Sequence, residues 1–432
     1  MGFKEKRLGL AIWTTRYGGW LCLAMIAGLG CFRTLSYGGQ IIFGLFAALL
    51  LLASGFEPWR GKFPLGTGLA VAVFVAVFIP NAFFSVDPAR TIAAWPFRFW
   101  LLMSLPIGLA FIDAEPVRRW GLYALMAGTG LGFFLVLLDL WQNPNNLRPS
   151  GNMGIMEYAG VVGLTFPFLL AHLINLMCRP SEAGSGRGLA WLLLVAVNIS
   201  LVGILLNGTR IIFISAVATA TFLALSYGRR LSRRAVYALL TLPLITAFTF
   251  AAWPQTFSRA TSLVELNPPA QMLTSESLAD DPVESAGFDS ARLRLDHSAS
   301  LRLEMWRRAL KMIPDHPFFG CGLRTIPNDP DPGTGISNGI FSFHNTYLQF
   351  VVETGIFGLM ALMGLFIPGL RLALKRFDDP DPDVRMWSRI AIALLLGLAI
   401  HAATDNLLFY RSVIYLYGLL TAWAWTRLSP TT

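Results

Sequence analysis

The chain has 432 residues, of which 55% are hydrophobic and only 14% charged, with a mean hydropathy of +0.57. A water-soluble domain of this size could not carry so much apolar surface, so composition excludes a soluble globular protein and predicts an all-α polytopic membrane protein. The net charge of +9 would suit a nucleic-acid surface only if the basic residues clustered on one exposed face, and their distribution along the chain argues otherwise.

Apolar runs long enough to cross about 30 Å of hydrocarbon, roughly 17 to 25 residues each, recur at 18–32, 39–56, 64–84, 92–112, 118–141, 155–178, 189–207, 210–227, 234–253, 346–370, 388–407 and 411–427. They predict about twelve transmembrane helices. Lys4, Lys6 and Arg7 precede the first run as in a signal peptide, but no small-residue cleavage site follows, which predicts an uncleaved first helix. The chain divides into transmembrane helices 1–9 over 1–253, a loop domain with short helices over 254–343, and transmembrane helices 10–12 over 344–432.

Lys and Arg near span ends favour the cytoplasm. With the N-terminus inside, the inside segments carry 20 basic residues and the short outside loops only 5, namely Arg33, Arg90, Arg148, Arg210 and Arg411. Both termini are therefore expected in the cytoplasm and the 254–343 loop on the outer face. That loop holds eight basic residues against eleven acidic ones. The basic excess is thus a topology signal and predicts no nucleic-acid partner. Within the loop, 271–290 is rich in Ser, Glu, Asp and Pro, as expected of a mobile lid or a disordered stretch. Cys22, Cys31 and Cys178 fall in spans and Cys321 is alone in the loop, so no disulfide framework is implied.

Ser300 to Ile313 reads as a helix closed by Pro314. At 100° per residue Arg302 lies at the centre of its apolar face with Trp306, Ala309 and Ile313, while Glu304, Arg307, Arg308 and Lys311 take the other face. A guanidinium directed into packing needs an anion, since leaving it unpaired in a dry site costs several kcal/mol. That anion is either an acid such as Asp405, in a structural salt bridge, or a bound phosphate, which suits the planar fork of Arg. Arg210, in Asn207-Gly208-Thr209-Arg210, sits where one span ends and the next begins, either snorkelling to the interface or facing a ligand. His344 stands at an outer span boundary, and Asp405 approaches the same level at the end of the eleventh span. Ionisable groups converging from four parts of the chain at one membrane level mark a functional site.

The Arg302-x-x-x-Trp306 helix, the His-Pro-x-x-Gly-x-Gly turn of His316 to Gly322, the His344-Asn345-x-Tyr-Leu start of the next span, Gly355 with Gly358, and Gly-Thr-Arg at 208–210 resemble the bacterial O-antigen ligases of lipopolysaccharide synthesis. Their superfamily also includes O-antigen polymerases and protein O-oligosaccharyltransferases. The detailed resemblance covers about 300–360 together with Arg210 and Asp405. It implies a glycosyltransferase of the bacterial inner membrane, acting on its periplasmic side. The donor would be a polysaccharide linked to undecaprenyl diphosphate and the acceptor a sugar hydroxyl of lipid A-core. Arg210 and Arg302 would stabilise the departing diphosphate, and His344 would take the acceptor proton. Asp405, Asn345 and Trp306 would orient or bind. The resemblance further implies inversion at the anomeric carbon with no cofactor or metal. In keeping with that, the first outer loop, about Phe32 to Gly38, has no Asp or Glu to hold a divalent ion. Asp329-Pro-Asp331 reads as a Pro-rich turn, His172 and His401 as packing residues within spans, and His316 as a turn former. Two rival readings share the spans: a polymerase with a carrier-linked glycan as acceptor, and a non-enzymatic transporter of lipid-linked glycans, which leaves His344 without a role.

The charge count makes a direct prediction. In intact spheroplasts a membrane-impermeant thiol reagent should label Ser277→Cys and spare Ser232→Cys; the reverse pattern would invert the topology.

Overall fold

A computed structural model describes residues 3–28, 33–55, 61–143, 149–151, 153–179, 186–253, 297–325, 342–406 and 410–429. The expected lid at 271–290 and the Asp329–Asp331 turn lie outside them. Among the described residues the chain is all helical. The helices are α1 (Phe3–Gly28), α2 (Arg33–Ser54), α3 (Thr67–Phe83), α4 (Pro88–Phe111), α5 (Glu115–Gln142), α6 (Ile155–Cys178), α7 (Gly186–Asn207), α8 (Arg210–Tyr227), α9 (Arg233–Ala252), α10 (His297–Met312), α11 (Thr346–Lys375), α12 (Pro382–Ala402) and α13 (Arg411–Leu428). Apart from α10, each overlaps one of the twelve apolar runs.

Seven of these helices, α5 to α9 with α11 and α12, are long and apolar enough to cross a membrane by length and composition. α1 starts at Phe3 rather than near residue 18, because Lys4, Lys6, Arg7 and Arg16 are good helix formers and let the helix run on past its apolar stretch. α13 falls outside the seven for a different reason. Every residue from Ser412 to Trp425 is buried, so a helix enclosed by protein carries Tyr, Thr and Ser without presenting them to lipid. Small residues bring its neighbours close: a Cβ at Gly108 would meet Ala422, and one at Gly418 would run into Ser104.

The feature that positions the site is a break in α11. At Gly355 the backbone leaves helical space, with φ 69° and ψ −175°. The turn that follows α10 fills the gap. Cys321 N and Gly322 N donate to Val352 O (2.9 Å) and Glu353 O (3.0 Å), while Ile356 N and Phe357 N donate to Pro317 O (2.9 Å) and Phe318 O (3.3 Å). Asn81 of α3 adds bonds from Nδ2 to Phe319 O (2.6 Å) and Glu353 O (2.8 Å), and Val86 N donates to Cys321 O at 2.9 Å. Unpaired backbone groups away from water cost several kcal/mol each, so a break of this kind survives only when other protein groups pair with it. The glycines follow from that contact. Gly320, Gly322 and Gly355 have φ of 69°, 106° and 69°, and a Cβ on them would run into Glu353, Ser85 and Phe318 respectively.

Gly355→Ala should therefore lower stability by at least the roughly 1–2 kcal/mol that a left-handed alanine costs, with the overlap on Phe318 added. Gly364→Ala, which has open space around it, should be neutral or stabilising by up to about 1 kcal/mol. Thermal unfolding in detergent compares them; equal midpoints would deny the break any structural weight.

Candidate active site

The first turn of α11 fixes His344. Asn345 is the N-cap, its side chain accepting from Leu348 N at 3.0 Å, which satisfies one of the free donors of a helix start. His344 precedes it with φ 46°, a left-handed conformation uncommon outside glycine. Three bonds hold it there: Phe343 N to Gln349 Oε1 (2.9 Å), His344 N to Ser342 Oγ (3.2 Å) and Trp306 Nε1 to Phe343 O (2.9 Å). Trp306 thus acts on the backbone just before the histidine.

The ring is fixed as well. His344 Nδ1 lies 3.2 Å from Asp405 Oδ1; Asp405 is fully buried, whereas 37% of the His344 side chain is exposed. One ring edge is therefore held inside and the other is reachable. Asp405 itself sits in the turn after α12, with Thr346 Oγ1 donating to its carbonyl (2.8 Å) and Asn406 N to its Oδ1 (2.8 Å). Asn406 Nδ2 donates to Ser342 Oγ (2.5 Å) and Gln349 Oε1 (3.3 Å). Gln349 Nε2 and Arg324 N both donate to Glu353 Oε1, at 2.8 and 3.2 Å. A buried polar network therefore runs from the helix break to the histidine. An imidazole that donates Nδ1–H to a carboxylate keeps its lone pair on Nε2.

α10 brings Arg302 to this group. Ala309 is buried with Cys321, Phe343 and Val352, and Met305, Met312 and Ile313 pack against them, which seats the expected apolar face. Arg302 is half-buried, and its charge acts on His401 and Tyr410, which flank Asp405 in sequence. Among the described residues no ion pair joins Arg302 to Asp405; Asp405 Oδ1 is paired with His344 and Asn406 N, while its buried Oδ2 has no hydrogen-bond partner. On the other face Arg307 is 71% exposed and pairs with Glu304 at 3.6 Å. Arg308 departs from expectation, being half-buried where the helical wheel alone puts it in solvent.

Arg210 comes in from a different helix end. It opens α8 after a turn in which Gly208 has φ 66° and Thr209 Oγ1 donates to Asn207 Oδ1. Asn207 Nδ2 donates to Ile155 O at 3.2 Å, tying the turn to the start of α6. There Glu157 is buried, and its charge, like those of Asp405 and Arg302, acts on Tyr410. His344, Asp405, Asn345 and Trp306 thus share one bonded network, with Arg302 beside it. Arg210 stands on the neighbouring α6–α8 edge.

Four members of the network, Ser342, Gln349, Glu353 and Asn406, carry no role in the expectations drawn from sequence. A signal for two of them existed: Gln349 and Glu353 lie four residues apart inside an apolar run, and polar groups there are rarely idle. Cys321 is buried, which pushes its thiol up to about 11 and disfavours the thiolate. His172 accepts its expected structural role, its Nδ1 paired with Phe168 O at 2.9 Å.

Residues 195–363 match the family model described as O-antigen ligase. This segment is similar to an O-antigen ligase domain. It runs from α7 through the break in α11 and contains Arg210, Arg302, Trp306, His344 and Asn345, while Asp405 lies beyond it. No curated protein matches the chain. The domain supports a membrane-embedded glycosyl-transfer function of the ligase or polymerase type, with lipid-linked glycan and lipid as substrates.

Proposed function

We propose that the protein moves O-antigen polysaccharide from undecaprenyl diphosphate to a sugar hydroxyl of lipid A-core in the periplasmic leaflet of the bacterial inner membrane. In this reading the chain crosses the membrane twelve times, both termini are cytoplasmic, and the 254–343 loop domain caps the outer side. The observation that carries it is the His344–Asp405 pair, one edge held by a buried carboxylate and the other open, with an arginine alongside.

The chemistry follows from those groups. His344 Nε2 takes the proton of the acceptor hydroxyl as its oxygen bonds to the anomeric carbon from the side opposite the leaving group. The bond from that carbon to the diphosphate oxygen breaks, and inversion results. The undecaprenyl diphosphate leaves as an anion, whose charge Arg302 and Arg210 stabilise as planar, multidentate donors. Two guanidinium groups do here what a divalent cation does elsewhere, so the reaction needs no metal. Asp405 selects the tautomer of the base, while Asn345 and Trp306 fix its backbone. A transporter of lipid-linked glycans would have no use for such a pair. A polymerase would use the same donor and base with another carrier-linked glycan as acceptor. Deletion decides between them: loss of a ligase leaves full polymer on the carrier and bare core, whereas loss of a polymerase leaves core capped with a single repeat.

His344→Ala should stay folded, bind the lipid-linked donor and lose about 10²- to 10⁴-fold in transfer rate. Single-turnover transfer in nanodiscs, with donor binding measured separately, provides the check, and near-normal transfer by the variant would send the search for the base elsewhere.

Arg302→Lys should also lose most activity, because an ammonium does not reproduce the bidentate fork. Arg307→Ala, on the solvated face of the same helix, should be mild. Equal losses at normal protein levels would mean a diffuse basic patch rather than a specific phosphate site.

A further inference from the structure

A cavity separate from the candidate active site lies between the middle of α1 and the N-terminal end of α5. It is an open groove of ≈ 720 Å³, and its lining includes Arg16 and Trp20 from α1 and Glu115, Arg119 and Trp120 from α5. α1 packs closely against the end of α4 and the N-cap of α5 beside it, since a Cβ at Gly18 would run into Phe111 and one at Gly19 would meet Ala114 at 2.5 Å. The walls are therefore set by helix packing. The groove carries two arginines against one carboxylate, and the start of α5 adds the positive end of a helix whose N-cap, Ala114, provides no side-chain bond.

We propose that this groove binds the headgroup phosphate of an anionic phospholipid, which the topology above places in the cytoplasmic leaflet. Three observations favour a lipid of that charge. The volume suits a headgroup rather than a single ion. Trp20 and Trp120 are 49% and 43% exposed, as amphipathic rings are where headgroups meet acyl chains. The Arg119 guanidinium lies 5.2 Å over the Trp120 ring, so that face is occupied by the protein's own cation and is closed to the ammonium of a zwitterionic lipid. Basic pockets between spans on this side of a membrane hold anionic headgroups by the same electrostatics.

The test uses the full chain purified in detergent and exchanged against equal amounts of phosphatidylglycerol and phosphatidylethanolamine, with retained lipid counted by native mass spectrometry. Wild type should retain the anionic lipid several-fold in excess. Arg16→Gln and Arg119→Gln should each cut that excess by about fivefold, and Glu115→Gln should raise it. Arg118→Gln, exposed but outside the groove, should leave it unchanged and serves with thermal unfolding as the control for folding. The inference is overturned by equal retention in wild type, by a preference that survives the double variant, or by displacement with inorganic phosphate, which would mark a free-anion site.

Discussion

The backbone pairing between the 316–322 turn and the break at Gly355 is the constraint on which the site depends. A helix that opens inside an apolar bundle exposes carbonyls before the break and amides after it, and neither can turn to water. The chain answers with a segment from another region, whose own amides and carbonyls complement those left over. That segment is the direct continuation of α10. Because it is pinned to α11 by backbone bonds, the helix bearing Arg302 is held against the helix whose first turn follows His344. The two groups proposed to act on opposite ends of one reaction are thus set relative to each other by a splice of main chain.

Side chains extend the same coupling. Glu353, at the break, accepts from Arg324 N and from Gln349, and Gln349 in turn accepts from Phe343 N and from Asn406. Every link is buried or nearly so, and in low dielectric such a network is strong when complete and costly when any member is lost. It also explains how His344 tolerates φ 46°. A left-handed non-glycine residue costs about 1–3 kcal/mol and persists where its surroundings over-determine it; here the residues on both sides are tied, one to Gln349 and Trp306, the other to the α11 cap.

Much of this was legible in the sequence, for reasons that differ by element. The apolar runs located the helices, and seven of them meet the length and apolarity that crossing hydrocarbon requires, because that thickness is a length requirement the chain must write out residue by residue. Arg302 on the apolar face of α10 and His344 at the start of α11 were visible because a charge in an apolar pattern is an anomaly. The Gly-x-Gly turn and Gly355 were visible as motifs, yet their partnership was not. Nothing in the spacing between Gly320 and Gly355 says that one plugs the other, since hydrogen bonds between distant backbones leave no side-chain trace beyond the absence of Cβ. Arg308 was misplaced for a related reason: a helical wheel orders residues around one axis and cannot see which neighbouring segment comes close on the polar side. Asp405 was legible only as a polar residue near a span end, and its bond to His344 came from tertiary packing.

The asymmetry of the His344–Asp405 pair carries the last step. A carboxylate buried with no accessible surface is tolerated only when donors compensate it, and Asp405 Oδ1 has two, the imidazole and the Asn406 amide. Removing the imidazole would leave Asp405 Oδ1 with the Asn406 amide alone, so histidine at 344 contributes to local packing beside its proposed part in the reaction. The same bond leaves Nε2 as the ring nitrogen for the proposed chemistry, on a side chain that is 37% exposed. A single hydrogen bond thereby orients the proposed base and contributes to compensating a buried acid.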